Sequence, residues 1–223
     1  DNDGVYITNL YLNLAEINVK MPYQKVENVY LNQDVSLEGS DFSDSTIANI
    51  YYDGTLANYL NIHYNNKNEI IATGSNLYYK NNDEYLLLEE LIIPDTIDYL
   101  YSYQFAKITS IKKVIIPTSV TTIEPYVFLD CNNINYFESP KLCAYTPTGY
   151  KGAIYFFMDN ITNSSRYSID TVKVVGTTPF ANESLYYLNI ASLYLANTIE
   201  GFADRLVNYT TIENIYFDGS AKD

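Results

Sequence analysis

The chain has 223 residues, with 13 Lys and Arg against 27 Asp and Glu, which gives a formal net charge of −14 at pH 7. This excess of acidic groups argues against binding to nucleic acid or to anionic lipid, because both polyanions would repel it. Hydrophobic residues make up 47% of the chain, enough for a packed core. The 25 tyrosines, against 9 phenylalanines, place most of the aromatic surface on side chains with a polar tip, which are common where a protein meets a ligand.

Cysteine content and hydropathy argue against a disulfide-stabilised scaffold and against a protein with membrane-spanning helices. Cys131 and Cys143 are too few for a disulfide scaffold and lack the Cys-x-x-Cys spacing of zinc and redox sites, so both are interpreted as buried free thiols. No run of about 18 apolar residues is present, so no helix that spans a bilayer is predicted. The sequence opens at Asp1 without a leader, which we interpret as the loss of a targeting segment.

Short strands are predicted along the whole chain by one recurring pattern. It consists of an apolar residue, two variable residues, and then an apolar, a variable and an apolar residue. The alternation in the last three positions is typical of a half-buried strand. In chain order the pattern begins at Ile7, Val26, Ile47, Leu88, Ile111, Ile169, Leu185 and Ile212. Its spacing is uneven, so we expect insertions at the turn-forming stretches 65–68, 81–83 and 145–149.

The middle of the chain contains regular repeats of 23 residues. Two segments align without a gap from Leu91 and Val114, and a third begins at Phe137. Apolar residues hold equivalent places in the aligned units, as Phe105 and Phe128 do, which predicts that both are core residues. A unit of this length cannot bury its apolar positions alone, so neighbouring units must stack into a continuous core.

The unit from Val114 carries a sequence signature of its own. The signature residues are Pro117, Val120, Ile123, Phe128 and Cys131. This signature, at a period of 23 residues, resembles the BspA-like leucine-rich repeats of bacterial cell-surface and secreted proteins, most closely over residues 47–140. The resemblance implies a β-rich, right-handed leucine-rich-repeat solenoid. Such a solenoid has short parallel strands on its concave face, loops and short helical turns on its convex face, and irregular coils.

A single solenoid domain is therefore expected over residues 1–223. Regular repeats are expected at about 88–140 and an irregular insertion at about 141–184. The sequence that begins at Ile47 is partly repeated from Ile212. This second copy ends before the unit is complete, and no capping unit is evident. We interpret the chain as a fragment of a longer protein.

Two columns of variable residues are expected on the exposed strand face, because they flank the central apolar residue of each strand. The first column is Asn9, Asn28, Asn49, Glu90, Lys113, Tyr136, Thr171, Tyr187 and Asn214. The second column is Tyr11, Tyr30, Tyr51, Ile92, Ile115, Glu138, Lys173, Asn189 and Tyr216. Since neighbouring strands lie about 4.8 Å apart, the first three coils are predicted to form an amide ladder beside stacked tyrosine rings.

The ligand-binding candidates come from these two columns. They are Asn9, Asn28, Asn49, Tyr11, Tyr30, Tyr51, Tyr136, Tyr187 and Tyr216. Tyrosine adds contact area at low entropic cost and asparagine both donates and accepts hydrogen bonds, which suits recognition of a protein or a glycan. The alternative is that these residues serve only strand propensity and solubility.

Catalytic and metal-binding patterns are weak. His63 is the only histidine and is interpreted as a surface residue, which leaves no basis for a triad or a two-histidine metal site. Ser110 and Lys113 match S-x-x-K, but they are predicted at the start of a strand, where they would not face each other. The acidic stretches 1–4 and 41–44 lack a twelve-residue calcium loop. We therefore predict no catalytic residue, no cofactor and no metal.

By resemblance, the expected function is a non-catalytic binding or adhesion module of an extracellular or surface-attached bacterial protein. Its partner would be a host protein, a matrix protein or a glycan. A structural spacer that displays another domain is the first alternative, and an enzyme that acts through Asp and Glu side chains is the second. The ligand, the mode of surface attachment and the oligomeric state stay open.

Overall fold

The computed structural model describes residues 6–13, 24–34, 45–62, 75–159, 161–162, 164–177, 180–181, 183–200 and 205–218. Within these ranges the chain winds through stacked coils that contribute short strands to two main sheets. Strands form where the sequence alternates, because the apolar positions turn into the core while the residues between them stay at the surface. In the strand Lys25–Asn32, for example, Val26, Val29 and Leu31 are buried and Tyr30 is half-exposed.

Fifteen strands and two short helical segments make up the described structure. The strands are Tyr6–Leu12 (β1), Lys25–Asn32 (β2), Thr46–Asp53 (β3), Asn76–Asn81 (β4), Glu84–Leu87 (β5), Glu90–Ile92 (β6), Tyr99–Leu100 (β7), Lys113–Ile115 (β8), Thr122–Ile123 (β9), Tyr136–Ser139 (β10), Cys143–Thr146 (β11), Gly149–Gly152 (β12), Tyr167–Val174 (β13), Leu188–Ala196 (β14) and Thr211–Asp218 (β15). The helical segments are Leu56–Leu60 (α1) and a 3-10 turn at Ala153–Phe156. No helix in these ranges is long and apolar enough to cross a membrane.

The strands form two main sheets in which parallel pairing dominates. In the first sheet β1 to β4 pair in parallel in chain order, and β5 folds back antiparallel against β4. The second sheet has six parallel strands in the order β6, β8, β10, β13, β14 and β15. This arrangement of successive coils confirms the strand-rich solenoid expected from the repeats.

Backbone hydrogen bonds and apolar side chains hold successive coils together. The amide of Phe105 donates to the carbonyl of Val127 in the next coil at 2.9 Å. The rings of Phe105 and Phe128 lie in register with centroids 5.8 Å apart, and both are fully buried, as predicted. Cys131 donates its Sγ–H to the Phe105 carbonyl at 2.9 Å. One apolar cluster runs through the coils from Leu12 to Leu195, which confirms the continuous core.

The strand face that carries the two predicted columns is interrupted at one point. The hairpin of β4 and β5 places an antiparallel strand at the edge of the first sheet, and the second sheet begins separately with β6. The coils still touch across this break, because the Ser75 amide donates to the Lys107 carbonyl at 3.2 Å and the Thr109 amide donates to that of Ser75 at 2.9 Å. The predicted columns are therefore divided into two sets.

The segment predicted as an irregular insertion contains regular elements. β11 and β12 form an antiparallel hairpin, the 3-10 turn follows, and β13 pairs with β10 in the second sheet. Gly176 follows β13 at a point where two coils approach closely. A Cβ atom on Gly176 would lie 2.1 Å from the carbonyl oxygen of Pro140. Glycine is therefore required at this position by lack of space.

We expect Gly176→Ala to lower the free energy of unfolding by about 2 kcal/mol, because the added methyl group forces backbone apart in a packed region. Urea denaturation followed by circular dichroism measures the change. Thr177→Ala, at the exposed neighbouring residue, is the matched control and should shift stability by less than about 0.5 kcal/mol. Equal stability of the Gly176 variant and the control would contradict the close approach of the coils.

A second prediction concerns alkaline pH. Tyr52 is fully buried, its hydroxyl donates to the Gln33 carbonyl at 2.9 Å, and burial raises its pKa to about 12. A tyrosine in the unfolded chain titrates near 10, so the stability that its neutral phenol contributes is present below pH 10 and is lost between about pH 10 and 12. We expect Tyr52→Phe to cost about 1 kcal/mol at pH 7 and to show a shallower loss above pH 10. Parallel pH profiles of the two proteins above pH 10 would contradict this assignment.

Candidate ligand-binding surface

An asparagine ladder runs across the first sheet. Asn28 donates its Nδ2 to Oδ1 of Asn9, Asn49 donates to Asn28, and Asn76 donates to Asn49, each at 3.1 Å. The parallel register produces the ladder, because it places these four residues level with one another in β1, β2, β3 and β4. Each carboxamide is thereby held in one orientation by its neighbours. The predicted ladder of three residues is confirmed and extended by Asn76.

A stack of tyrosine rings lies beside the ladder. The centroids of Tyr11, Tyr30, Tyr51 and Tyr78 are separated by 4.7, 4.9 and 4.7 Å in turn, with interplanar angles of 11° to 13°. Tyr85 of β5 packs edge-on against Tyr51 with a centroid distance of 5.2 Å. The rings therefore cover one another's faces and present their edges and hydroxyl groups at the surface. We call the four asparagines and the four stacked tyrosines the Tyr/Asn strip.

The Tyr/Asn strip carries no charge. Burial, together with the neighbouring phenols of Tyr78 and Tyr30, raises the pKa of Tyr51, so its phenol stays protonated at neutral pH. The ion pair between Lys80 and Asp53, at 2.6 Å, borders the strip. Within the described part of the chain, the four stacked hydroxyls have no hydrogen-bond partner. The strip thus offers a rigid row of unused phenol groups.

The columns predicted from the strand pattern do not include the fourth coil of the strip. Asn76 and Tyr78 lack the leading apolar residue of the strand pattern, because Gly74 stands in its place. A shorter signal was available: the triplet Asn-apolar-Tyr occurs at Asn9, Asn28, Asn49 and Asn76. Tyr85 could not be found in this way, since its position depends on the antiparallel return of β5.

The second sheet presents a different surface, because outward Glu and Lys side chains on β6, β8, β10 and β13 form ion pairs. Lys113 forms a salt bridge with Glu90 at 3.1 Å, and its Nζ lies 5.8 Å from the ring centroid of Tyr136. Tyr136 in turn donates its hydroxyl to Glu138 at 2.7 Å, and Lys173 lies 3.3 Å from Glu138. Burial and the bond to Glu138 raise the pKa of Tyr136 to about 12. Tyr136 therefore belongs to an internal chain of polar contacts, and its hydroxyl is already occupied.

The predicted columns are wrong in register at β14. Tyr187 and Asn189 were expected level with the outward residues of β13, whereas the sheet places Ser192 and Tyr194 there. Tyr194 stacks on Tyr216 with centroids 4.6 Å apart. Tyr216 thus lies in the column where it was predicted, in a pair separate from the Tyr/Asn strip.

Tyr187 lies in the turn before β14. Its backbone is left-handed, with φ of 61°, as is that of Tyr209 in the turn before β15, with φ of 54°. The two rings stack at 5.3 Å, and the guanidinium of Arg166 lies 5.5 Å from the Tyr187 centroid. The strand pattern of apolar residues can be read from Leu185 or from Ile190, and the two readings give different registers for β14. The structure has the register of the second reading, because Tyr187 lies in the turn before the strand.

The candidate catalytic residues are not brought together. The buried hydroxyl of Ser110 accepts a hydrogen bond from the Leu77 amide at 3.3 Å, while Lys113 pairs with Glu90. His63 and the acidic stretches 1–4 and 41–44 lie outside the described residues. Among the residues that are described, no group of three or more His, Cys, Asp or Glu is arranged to hold a metal ion.

Both cysteines are free and buried, as predicted. Burial raises the pKa of Cys143 to about 11 and that of Cys131 further. A thiol with a raised pKa carries little thiolate at neutral pH, which makes it a poor nucleophile and metal ligand. The two cysteines therefore act as small core residues.

The repeats match a known protein family. Residues 73–205 match the family described as BspA type leucine-rich repeat region, in six copies. The match runs through the segment 141–184 as well as through the regular repeats, and it begins after β3. No curated protein and no solved structure matches the chain. Since the matched repeats cover more than half of its residues, the chain belongs to the BspA-type leucine-rich repeat family.

Proposed function

We propose that this chain is a non-catalytic protein-binding module of an extracellular or surface-attached protein, with the Tyr/Asn strip as its recognition surface. Family membership supports a protein-interaction role, since leucine-rich repeats are typically binding scaffolds. This surface is chosen because its four phenol hydroxyls have no hydrogen-bond partner within the described chain. The asparagine ladder and the stacking of the rings hold these side chains in place.

Preorganisation is the physical advantage of the strip. A side chain that is immobilised on binding costs about 0.5–1.5 kcal/mol of conformational free energy. The stacked rings and bonded amides have already lost that freedom in the folded protein. A partner therefore gains contact with fixed ring edges and hydroxyls at little further entropic cost.

The geometry favours a protein partner over a glycan. An apolar sugar face packs against the open face of an aromatic ring, and in the strip neighbouring rings cover those faces. Tyr11, which is 60% exposed at the edge of the stack, is the exception. A protein surface can instead meet the strip with backbone amides, carbonyls and small side chains that bond to the phenols.

The second sheet is a weaker candidate surface. Four of its outward charges are paired, Glu90 with Lys113 and Glu138 with Lys173. Exposed ion pairs contribute about 0–1 kcal/mol and must be broken or covered when a partner docks. An uncharged strip also implies that binding depends little on salt, in contrast to association through the acidic surface, which salt would screen.

We expect Tyr30→Ala combined with Tyr51→Ala to weaken binding of a host or matrix protein at least tenfold, because central aromatic residues dominate interface energies. An array of extracellular-matrix proteins, host proteins and glycans identifies the binding partner, and surface plasmon resonance measures the affinity. Tyr194→Ala with Tyr216→Ala is the matched control, since it removes an equivalent stacked pair from the second sheet.

The outcomes separate the alternatives. Loss of binding in the control but not in the strip variant would place recognition on the second sheet. Binding confined to glycans would contradict the protein partner. Silence of the folded chain across the whole array would favour a structural spacer and overturn the proposal.

Phenylalanine variants test the hydroxyl groups alone. Tyr30→Phe and Tyr51→Phe keep the stack and remove one hydroxyl each, and a hydrogen bond contributes about 0.5–1.5 kcal/mol. We therefore expect each substitution to weaken binding about two- to tenfold. Tyr194→Phe is the control for the second sheet. Full affinity in both strip variants would show that ring edges, and not hydroxyls, make the contact.

A further inference from the structure

The tyrosine hydroxyls of the Tyr/Asn strip form a row with a fixed repeat. Neighbouring ring centroids lie 4.7, 4.9 and 4.7 Å apart, and neighbouring rings are parallel to within 13°. Because the strands are in register, the hydroxyl groups follow the same spacing as the rings. Hydroxyls two coils apart, such as those of Tyr11 and Tyr51, are therefore about 9.5 Å apart, which is twice the distance between neighbouring strands.

This distance matches the repeat of one regular backbone conformation. A polyproline II helix has three residues per turn and a rise of about 3.1 Å per residue, so equivalent groups recur about every 9.3 Å. An extended strand repeats about every 6.7 Å and matches neither one nor two intervals of the row. An α-helix repeats about every 5.4 Å and falls out of step with the row by about 2 Å over its three intervals.

The strip is also rich in hydrogen-bond donors. Each stacked tyrosine offers an O–H group, and the exposed ring edges carry partial positive charge. Asn28 and Asn76 each use one N–H of Nδ2 in the ladder, and the second N–H has no acceptor within the described chain. A polyproline II segment is the chemical complement, because its carbonyls make no internal hydrogen bonds and proline has no backbone N–H.

Charge restricts the composition of such a segment. The strip itself is uncharged, whereas the whole chain has a formal net charge of −14. Glu27 directly precedes Asn28 in β2, and Asp53 ends β3. An acidic segment would be repelled by this surrounding, so the complementary ligand is neutral or basic.

We infer that the Tyr/Asn strip binds a neutral or basic proline-rich segment in the polyproline II conformation, which runs across the strands along the ring stack. Carbonyls three residues apart accept hydrogen bonds from alternate tyrosines, either Tyr11 and Tyr51 or Tyr30 and Tyr78. The inference rests on the proposed function, since it names the kind of protein segment that the strip recognises. The strip and the ligand are both ordered before they meet, so little conformational freedom is lost on binding.

Binding of a synthetic peptide to the whole chain tests the inference. The probe is a fluorescent peptide of nine prolines with a dilysine tail, and the control is a flexible Gly/Ser peptide of the same length with the same tail. We expect fluorescence anisotropy to show at least about tenfold tighter binding of the proline peptide, because only this peptide is ordered in advance. Equal affinity for the two peptides would overturn the inference.

Two double variants that remove the same number of hydroxyls test the spacing. Tyr30→Phe with Tyr78→Phe keeps the pair Tyr11 and Tyr51, so one of two equivalent binding positions remains and affinity for the proline peptide falls about twofold. Tyr30→Phe with Tyr51→Phe leaves no pair of hydroxyls two coils apart. Each position then loses a hydrogen bond, and we expect affinity to fall about fivefold. Equal losses in the two variants would overturn the proposed repeat.

Further variants separate this inference from the proposed function. Tyr194→Phe with Tyr216→Phe, on the second sheet, should leave affinity for the proline peptide unchanged, and circular dichroism checks the folding of every variant. The inference is overturned, and the proposed function stands, if a host or matrix protein requires Tyr30 and Tyr51 for binding while the proline peptide does not bind. Full affinity of the peptide for the folded Tyr30→Ala and Tyr51→Ala double variant would also overturn the inference, because the peptide would then bind elsewhere.

Discussion

The parallel register between neighbouring strands is the constraint on which the rest of the structure depends. It brings equivalent residues of successive coils side by side at the spacing of a sheet. In the first sheet this turns a repeated triplet into a bonded amide ladder and a ring stack with spacings of 4.7 to 4.9 Å. In the second sheet the same constraint pairs Glu90 with Lys113. The contacts that a surface side chain makes therefore depend on the residues at the same position in the neighbouring coils.

Features that depend on local spacing could be predicted from the sequence. The 23-residue period implied stacked coils, and it identified Phe105 and Phe128 as core because only buried positions need to repeat their apolar character. The ladder of Asn9, Asn28 and Asn49 followed in the same way, since each residue occupies the same place in its strand. No knowledge of distant contacts was needed for these features.

Features that depend on competition between pairings could not be predicted. The turn-forming stretch 81–83 indicates a turn after β4, but the sequence does not show that β5 then pairs antiparallel with β4, and this pairing determines where the first sheet ends. At β14 two overlapping apolar patterns were available. The choice between them depends on a left-handed turn at Tyr187, a conformation that glycine would have signalled and tyrosine does not. Tyr187 consequently lies beside Arg166 and outside the strand column.

The antiparallel return of β5 also affects how the array responds to stress. In a repeat protein each coil is stabilised by its nearest neighbours, so unfolding spreads along the array until the coupling between coils weakens. At the hairpin, sheet pairing is replaced by a few bonds around Ser75 and by core contacts. Because the coupling between coils is weakest at this boundary, we expect the coils on one side to be able to unfold while those on the other keep their structure.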